Sequence, residues 1–173
     1  MVMRDAIAWA AGEGADILIV ESAGLCLRCS PYLTQSLGIV VISAVSGTHA
    51  PLKMGPMIAL ADVAVVTRID LVSQAEKEVF RERILEVAPG IEIVETNALQ
   101  GTGMRYLIRR IEEAGEIEDE ETIEVLGVPP LGVCTIYLGK REIGWQRILG
   151  EERKLRGRSI HLLEPRNLSL LSR

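Results

Sequence analysis

Short runs of β-branched and aliphatic residues, separated by helix-forming stretches, constrain most strongly what this chain can fold into. Three such runs cover residues 16–21, 38–45 and 63–67, and a shorter one covers 91–94. Consecutive apolar positions over such a short length are typical of strands buried on both faces of a parallel sheet. Strands that alternate with helices predict an α/β fold, a three-layer sandwich in which helices cover both faces of a mostly parallel sheet.

Helix signals lie before and between these runs. Apolar residues recur at near-helical spacing over residues 2–12, and a helix is expected over residues 51–60 that Pro51 opens and Pro56 interrupts. Ser73, with Glu76 three residues later, predicts a capping box and a helix that continues to about residue 87. The side chains expected to face the sheet are Val79, Phe80, Ile84 and Leu85 in this helix, and Met104, Leu107, Ile108 and Ile111 in a last helix opened by Thr102.

The composition changes after residue 113. Eight of the thirteen residues from 112 to 124 are acidic, which is typical of a solvated linker. Beyond it, residues 133–138 and 141–145 flank Gly139-Lys140 in a pattern that predicts a β-hairpin. A basic tail follows, either partly disordered or folded back on the acidic body. We therefore expect four parts: a main domain at 1–113, an acidic linker at 114–124, a hairpin extension at 125–150 and the tail at 151–173.

Overall composition excludes several classes of protein. The 24 acidic residues outnumber the 19 Lys and Arg residues, and aromatic residues make up 3%, which argues against a surface that binds nucleic acid. No apolar run approaches the roughly 20 residues that a membrane span needs, and acidic residues come too early for a signal peptide. Three cysteines do not make a disulfide scaffold. We expect a cytoplasmic protein that binds neither nucleic acid nor a membrane.

Three loops follow predicted parallel strands, where open α/β sheets place ligands. In the first loop, Glu21 offers a carboxylate to Mg²⁺ and Gly24 lets a backbone N–H approach a phosphate, unless Glu21 simply points into water. In the second loop, Asp70 either accepts hydrogen bonds from the N1–H and amine of guanine or merely opens the next helix. The third loop, residues 96–103, either presents main-chain N–H groups to a base carbonyl or is an ordinary strand-to-helix connection.

Cys26 and Cys29 form a Cys-x2-Cys pair beside the first loop. Two thiols at this spacing can hold one soft or borderline metal ion, and two chains related by a two-fold axis would supply four sulfurs. Arg28 between them favours the thiolate form. The alternatives are two half-buried cysteines without a ligand or a redox pair. Cys134 lies in an apolar strand and is expected to be a core residue.

Several motifs occur together in a fixed order. They are Glu21-Ser22-x-Gly24, Gly47-x3-Pro51-x-Lys53-x-Gly55-Pro56-x-Ile58 ahead of Ala61-Asp62, Thr67-Arg68-Ile69-Asp70, and Thr96-Asn97 with Gly101-x-Gly103. Over residues 3–113 the chain resembles the HypB and UreG nickel-insertion GTPases of hydrogenase and urease maturation, which belong with the CobW metallochaperones.

The resemblance implies a P-loop NTPase fold of the SIMIBI G-domain type and a role for each motif. Glu21 and Gly24 match the catalytic switch that senses phosphate and Mg²⁺. The base-reading motif comprises Thr67, Arg68 and Asp70, with arginine where the family usually has lysine, and Asn97-Ala98 match the loop that closes over the base. Cys26 lies near a metal-binding cysteine of the hydrogenase-type members. The implied ligands are GTP, Mg²⁺ and a delivered ion, Ni²⁺ or Zn²⁺ (or cobalt), and the implied partners are a second copy and a client metalloenzyme or other maturation factor.

One family motif is absent from the sequence, the phosphate loop Gly-x4-Gly-Lys-Ser/Thr. The resemblance places this loop and its strand before the helix at 2–12, with that strand at the sheet centre beside 16–21 and 63–67. We therefore expect these 173 residues to be the later part of a GTPase, either truncated or completed by a partner chain that supplies the strand and the loop. The alternative is a non-catalytic metal-binding or interaction module on the same scaffold.

Overall fold

Parallel pairing of three strands forms the centre of the fold, as seen in a computed structural model that describes residues 3–21, 32–117 and 122–126. The strands are β1 (Ile39–Ser43), β2 (Val63–Thr67) and β3 (Glu92–Glu95). Their order is β1-β2-β3, and both pairs are parallel. The strand predictions at 38–45, 63–67 and 91–94 are therefore confirmed within one or two residues.

Five helices accompany the strands in the described residues. They are α1 (Met3–Gly12), α2 (Ala50–Lys53), α3 (Gly55–Ala59), α4 (Gln74–Val87) and α5 (Met104–Glu112), with single 3-10 turns at Ala44–Ser46 and Ile69–Leu71. The interruption at Pro56 is confirmed, because this proline lies in the first turn of α3, where its missing N–H costs least.

The predicted capping box at the start of α4 is confirmed. The backbone N–H of Ser73 donates to Glu76 Oε2 at 2.8 Å, and the N–H of Glu76 donates to Ser73 Oγ at 3.3 Å. The Ser73 hydroxyl also donates to Glu76 Oε2, at 2.7 Å. This bond, and then the one from the Ser73 backbone N–H, favours the charged carboxylate and lowers the pKa of Glu76. The cap fixes where α4 begins, and hence the length of the loop between β2 and α4.

Helices cover both faces of the sheet. On one face, side chains of β1 and β2 form a buried cluster with α3 and α4; the cluster includes Val40, Ile42, Ala64, Val66, Met57, Ile58, Phe80 and Ile84. On the other face, Val63, Val65 and Val94 pack against Leu107 of α5. The predicted α/β three-layer arrangement is confirmed.

Two of the side chains expected to face the sheet are exposed instead. Val79 is 46% exposed and Ile108 is 50% exposed. The buried row of α4 is the i, i+4 pair Phe80 and Ile84, so Val79 lies off that row. Helix α5 reaches the β2–β3 cluster through Leu107 and buries none of its residues completely, which leaves Ile108 on the open side.

The predicted strand at 16–21 is wrong in the described structure. Residues 17–21 join no ladder, and the side chains of Ile17, Ile19 and Val20 are 53%, 78% and 51% exposed. A strand needs backbone pairing in addition to a suitable composition, and none of the described residues pairs with this segment. Glu21 is exposed, as in the alternative in which its carboxylate points into water.

The expected position of a further strand beside 63–67 is also wrong. Strand β2 pairs with β1 on one side and with β3 on the other, so both of its edges are occupied. Within the described residues, the unpaired edge on this side of the sheet belongs to β1. Val41 at the middle of β1 is 61% exposed. A strand added next to β1 would therefore find unpaired backbone groups and apolar surface.

Residues 122–126 pack against the main domain, at the boundary predicted between linker and hairpin extension. The N–H of Thr34 donates to the carbonyl of Glu124 at 2.9 Å, and the N–H of Leu126 donates to that of Tyr32 at 2.7 Å. Side chains behind this ladder form a small buried cluster of Ile7, Leu33, Ile123 and Val125. The predicted hairpin beyond residue 126, the basic tail and Cys134 lie outside the described residues, so the four-part division remains a prediction.

In the three described stretches of chain, no helix is both long enough and apolar enough to cross a membrane.

Tyr32 makes the stability of the fold sensitive to alkaline pH. Its hydroxyl is buried and has no hydrogen-bond partner among the described residues. Burial, reinforced by the nearby Asp62 carboxylate, raises the pKa of Tyr32 from 10.0 to about 12. The unfolded chain therefore loses this proton first, and we expect the free energy of unfolding to fall as the pH rises from 10.0 towards about 12.

Urea unfolding at a series of pH values tests this expectation. Tyr32→Phe should lessen the alkaline decline and should not reduce stability at neutral pH, because it removes a hydroxyl without a partner. Tyr106→Phe, at a tyrosine that is 54% exposed, is the control and should retain the part of the decline that comes from Tyr32. An unchanged decline in Tyr32→Phe would contradict the assignment.

Candidate functional site

The turn after β2 places an aspartate at the carboxyl edge of the sheet. Strand β2 ends at Thr67, and the 3-10 turn Ile69–Leu71 follows. Ile69 is 9% exposed and packs into the cluster beneath, which anchors the turn. Asp70, the next residue, is exposed. Its carboxylate is thus carried by a turn fixed to the core and is accessible from solvent.

Arg68 connects β2 to this turn in an unusual backbone conformation. Its φ of 58° and ψ of 38° are left-handed, a region that costs a non-glycine residue roughly 1 kcal/mol or more. The carbonyl of Arg68 accepts a hydrogen bond from the N–H of Leu71 at 3.2 Å, which closes the turn. The arginine side chain is exposed beside Asp70 in sequence. Strain of this kind is common at ligand-binding positions.

Thr96 ties the loop after β3 to the end of β2. It is 3% exposed, and its N–H donates to the carbonyl of Val66 at 2.7 Å. Its hydroxyl donates to the same carbonyl at 3.2 Å. The loop that begins here is therefore held against the strand that carries Asp70.

Asn97 organises the rest of this loop from a buried position. It is 5% exposed, and its N–H donates to the carbonyl of Thr102 at 3.0 Å. Its side-chain oxygen accepts from the N–H of Leu99 at 3.0 Å and from that of Gln100 at 3.3 Å. These contacts form an Asx turn that holds Ala98 and Leu99 at the surface, where the Leu99 side chain is 97% exposed.

Gly103 allows the loop to pack tightly against β3. Its φ is +73°, and a Cβ at this position would collide with the carbonyl oxygen of Glu95. Gly101 also has a positive φ, of +74°, but faces open space. The sequence suggested that these glycines expose main-chain N–H groups to a ligand. The structure gives Gly103 a further reason, which is the close approach of two backbone segments.

Ser43 is a polar residue at the same edge that the sequence reasoning missed. It ends β1, lies opposite Thr67 in the ladder, and its hydroxyl oxygen is buried without a hydrogen-bond partner among the described residues. A signal was present in the sequence, because a lone hydroxyl residue follows the apolar Ile39–Ile42 run. Strands β1 and β2 therefore end at a hydroxyl-bearing residue, Ser43 and Thr67, and β3 is followed by one, Thr96.

The structure brings five of the predicted site residues to the carboxyl end of the sheet. Thr67, Arg68, Asp70, Asn97 and Ala98 all follow or end the neighbouring parallel strands β2 and β3. Glu21 is exposed at the end of the unpaired segment and belongs to none of the strands. Gly24, Cys26 and Cys29 lie outside the described residues. Within 3–21, 32–117 and 122–126, no three His, Cys, Asp or Glu side chains come together as a metal site.

Comparison with known proteins gives three matches. The profile of the family described as CobW/HypB/UreG, nucleotide-binding domain, matches residues 2–95, more than half of the chain. An uncharacterized protein of Methanocaldococcus jannaschii is 43% identical over 154 residues, which are 89% of this chain and 66% of that protein. The crystal structure of the hydrogenase maturation factor HypB from Archaeoglobus fulgidus aligns with a TM-score of 0.39 at 21% identity, covering 43% of this chain and 41% of that one. The chain thus spans about two thirds or less of the proteins it matches.

Proposed function

The chain belongs to the CobW/HypB/UreG family of nucleotide-binding domains, and from this premise we propose that the carboxyl edge of its sheet binds the base of a guanine nucleotide. The observation that carries the proposal is that Asp70 and the Asn97–Thr102 loop both follow the carboxyl ends of two hydrogen-bonded parallel strands, β2 and β3. Ligands of open α/β sheets bind at this end of the strands.

Asp70 is the residue that distinguishes guanine from adenine in this proposal. Its exposed carboxylate accepts hydrogen bonds from the N1–H and the 2-amino group of guanine. Adenine has neither donor at these two positions, so it gains nothing from the aspartate. The guanidinium of Arg68 stacks on a face of the purine, a contact that arginine makes as well as lysine does. Ala98, exposed next to the Asx turn, supplies a main-chain N–H at the base edge.

The phosphate half of the site is proposed to come from a segment outside this sequence. The sequence contains no Gly-x4-Gly-Lys-Ser/Thr loop. Within the described residues, β1 has an unpaired edge and residues 17–20 carry exposed apolar side chains, so each offers surface that a further strand would cover. A strand paired in parallel with β1 would carry a phosphate loop to the same end of the sheet as Asp70, because the carboxyl ends of parallel strands lie at one end of the sheet.

Glu21 and Gly24 are proposed to act beside the phosphates once that strand is in place. An exposed carboxylate is a suitable oxygen ligand for a hard cation, so the donor chemistry of Glu21 fits Mg²⁺, directly or through water. Bound Mg²⁺ would neutralise charge on the phosphate oxygens. Gly24 would allow a main-chain N–H to approach the terminal phosphate.

Cys26 and Cys29 are proposed to carry the delivered metal, Ni²⁺ or Zn²⁺. Two cysteines at this spacing supply soft sulfur ligands, and a second copy of the chain would complete a set of four. In this proposal the nucleotide state controls release of the ion to a client metalloenzyme or maturation factor, because the cysteines follow Glu21 and Gly24 closely in the sequence. The alternative function is a metal-binding or interaction module without hydrolysis, to which the Cys26-x2-Cys29 pair is also suited.

Calorimetric titration of the full chain tests the proposal. The chain is combined with a polypeptide that carries a β-strand followed by Gly-x4-Gly-Lys-Ser/Thr, taken from a longer member of the family. We expect the mixture to bind GTP with Mg²⁺ at least about tenfold more tightly than the chain alone does, and GTP in preference to ATP. No gain on mixing, or equal binding of ATP and GTP, would contradict it, whereas Ni²⁺ or Zn²⁺ binding without nucleotide binding would support the alternative.

A further inference from the structure

Residues 122–126 form a strap that returns to the main domain after α5. The N–H of Thr34 donates to the carbonyl of Glu124 at 2.9 Å, and the N–H of Leu126 donates to that of Tyr32 at 2.7 Å. The Thr34 hydroxyl accepts from the N–H of Glu124 at 2.9 Å and donates to the Glu124 carbonyl at 3.3 Å. Thr34 is therefore bound to the strap through both its backbone and its side chain.

The strap contacts the chain on both sides of the segment 22–31, which carries the two cysteines of the proposed metal site. Its apolar side chains share a buried cluster with one residue before this segment and one after it: Ile123 and Val125 with Ile7 of α1 and with Leu33. The strap therefore connects the two flanks of the segment. It does so with residues beyond the 2–95 that the family profile matches, so the contact is a feature of this chain that the profile does not include.

Docking of the strap balances opposing terms of similar size. Burial of two aliphatic side chains and the backbone hydrogen bonds favour it, whereas fixing the backbone of residues 122–126 opposes it. Such an equilibrium is shifted by any ligand that needs the same part of the chain ordered. A metal ion held by the two cysteines is a ligand of this kind, because it fixes the segment whose flanks the strap connects.

We propose that the strap is coupled to metal binding at Cys26 and Cys29. A bound ion stabilises the docked strap, and the docked strap tightens binding of the ion by the same factor, since coupling between two sites is reciprocal. This inference rests on the metal assignment of the proposed function and adds its regulation. The strap leads directly into residues 127–173, so a client protein that binds there and displaces the strap would weaken binding of the ion that it receives.

Hydrogen exchange of the full 173-residue chain, with and without Zn²⁺, measures the coupling. We expect Zn²⁺ to slow exchange at the amides of Thr34 and Leu126 by at least about fivefold, the lower end of typical coupling between sites. The amide of Ala88, which donates to the carbonyl of Ile84 at 3.0 Å at the end of α4, is the reference and should change less than about twofold. Equal slowing at all three amides would show stabilisation of the whole fold and would overturn the coupling.

Two substitutions at Thr34 test the coupling in the reverse direction. Thr34→Val removes the hydroxyl and both of its hydrogen bonds to Glu124, whereas Thr34→Ser keeps the hydroxyl. By calorimetric titration, we expect Thr34→Val to bind Zn²⁺ about three- to fivefold more weakly than the parent chain, and Thr34→Ser to stay within about twofold of it. A strap with a purely structural role would lower the stability of Thr34→Val in urea and leave its affinity for Zn²⁺ unchanged.

The outcomes separate the coupling from the metal site on which it rests. Slower exchange at the strap that disappears in the double variant Cys26→Ser, Cys29→Ser supports the inference. If Zn²⁺ binds through these cysteines but exchange at Thr34 and Leu126 does not change, the inference is overturned and the proposed metal site stands. If the parent chain binds no Zn²⁺, or if the double variant binds it equally well, the inference is overturned together with the assignment of Zn²⁺ to these cysteines.

Discussion

Gly103→Ala is expected to destabilise the protein by about 2–4 kcal/mol, a large share of the stability of a domain this size. Two effects add at this position. The φ of +73° is unfavourable for any residue with a Cβ, and the new Cβ would overlap the carbonyl oxygen of Glu95, which is backbone and cannot rotate away. The loop would have to move off β3, and the Asx turn at Asn97 would move with it.

Two other glycines serve as graded controls. Gly101 has a similar φ of +74° but nothing within contact distance, so Gly101→Ala should cost only about 1 kcal/mol. Gly90 has neither a positive φ nor a close neighbour, so Gly90→Ala should leave stability within about 0.5 kcal/mol of the parent chain. Urea unfolding at neutral pH gives all three values. Equal losses for the Gly101 and Gly103 variants would show that backbone conformation alone matters and that the predicted overlap with Glu95 is relieved.

Features set by local sequence were predictable. The capping box at Ser73 and the break at Pro56 depend on residues within one helical turn of each other, and both are as expected. The β2 prediction was correct to the residue, because Val63–Thr67 has strand composition and partners on both sides. Where a segment has the composition of a strand and also has strands to pair with, the sequence pattern predicts the strand correctly.

The segment at 16–21 shows why composition alone is insufficient. Its apolar residues are as suitable for a strand as those of β2, but none of the described residues pairs with it. Pairing is a property of the whole sheet, and a strand cannot be assigned from one segment of it. The same reason explains why a further strand was wrongly expected beside β2. The second edge of β2 is paired with β3, which comes later in the sequence, so the residues around β2 do not reveal it.

The candidate site was predictable in its position and less so in its detail. Parallel strands bring the residues that follow them to one end of the sheet, so the sequence pattern predicts Asp70 and Asn97 at that end. The burial of Asn97, the lack of a partner for its Nδ2 within the described residues and the buried hydroxyl of Ser43 depend on how the loops pack over the strand ends. A sequence records which groups can donate or accept, but only packing decides which of them lack a partner.

Asp70→Asn is expected to change which base the chain binds. The asparagine NH₂ group would face the 2-amino group of guanine, donor against donor, so that hydrogen bond is lost. The remaining hydrogen bond, to N1–H, is weakened because its acceptor is no longer charged. At about 1.5 kcal/mol each, the affinity for guanosine should fall roughly 100-fold. Xanthosine has an oxygen at position 2 and keeps N1–H, so the same substitution should improve its binding and reverse the preference.

Asp62→Asn is the matched control, because Asp62 immediately precedes β2 at the opposite end of the strand from Asp70. Its carboxylate accepts a hydrogen bond from the N–H of Gly38 at 2.7 Å, an interaction that asparagine retains through its side-chain oxygen. Competition between guanosine and xanthosine, followed by NMR on each variant, should show a reversal for Asp70→Asn and none for Asp62→Asn. A reversal in both would attribute the effect to net charge. If both variants keep the preference for guanosine, Asp70 is only a residue of the turn that leads into α4. A carboxylate that contacts the base cannot be replaced by an amide without changing which hydrogen-bond donors and acceptors the base must present.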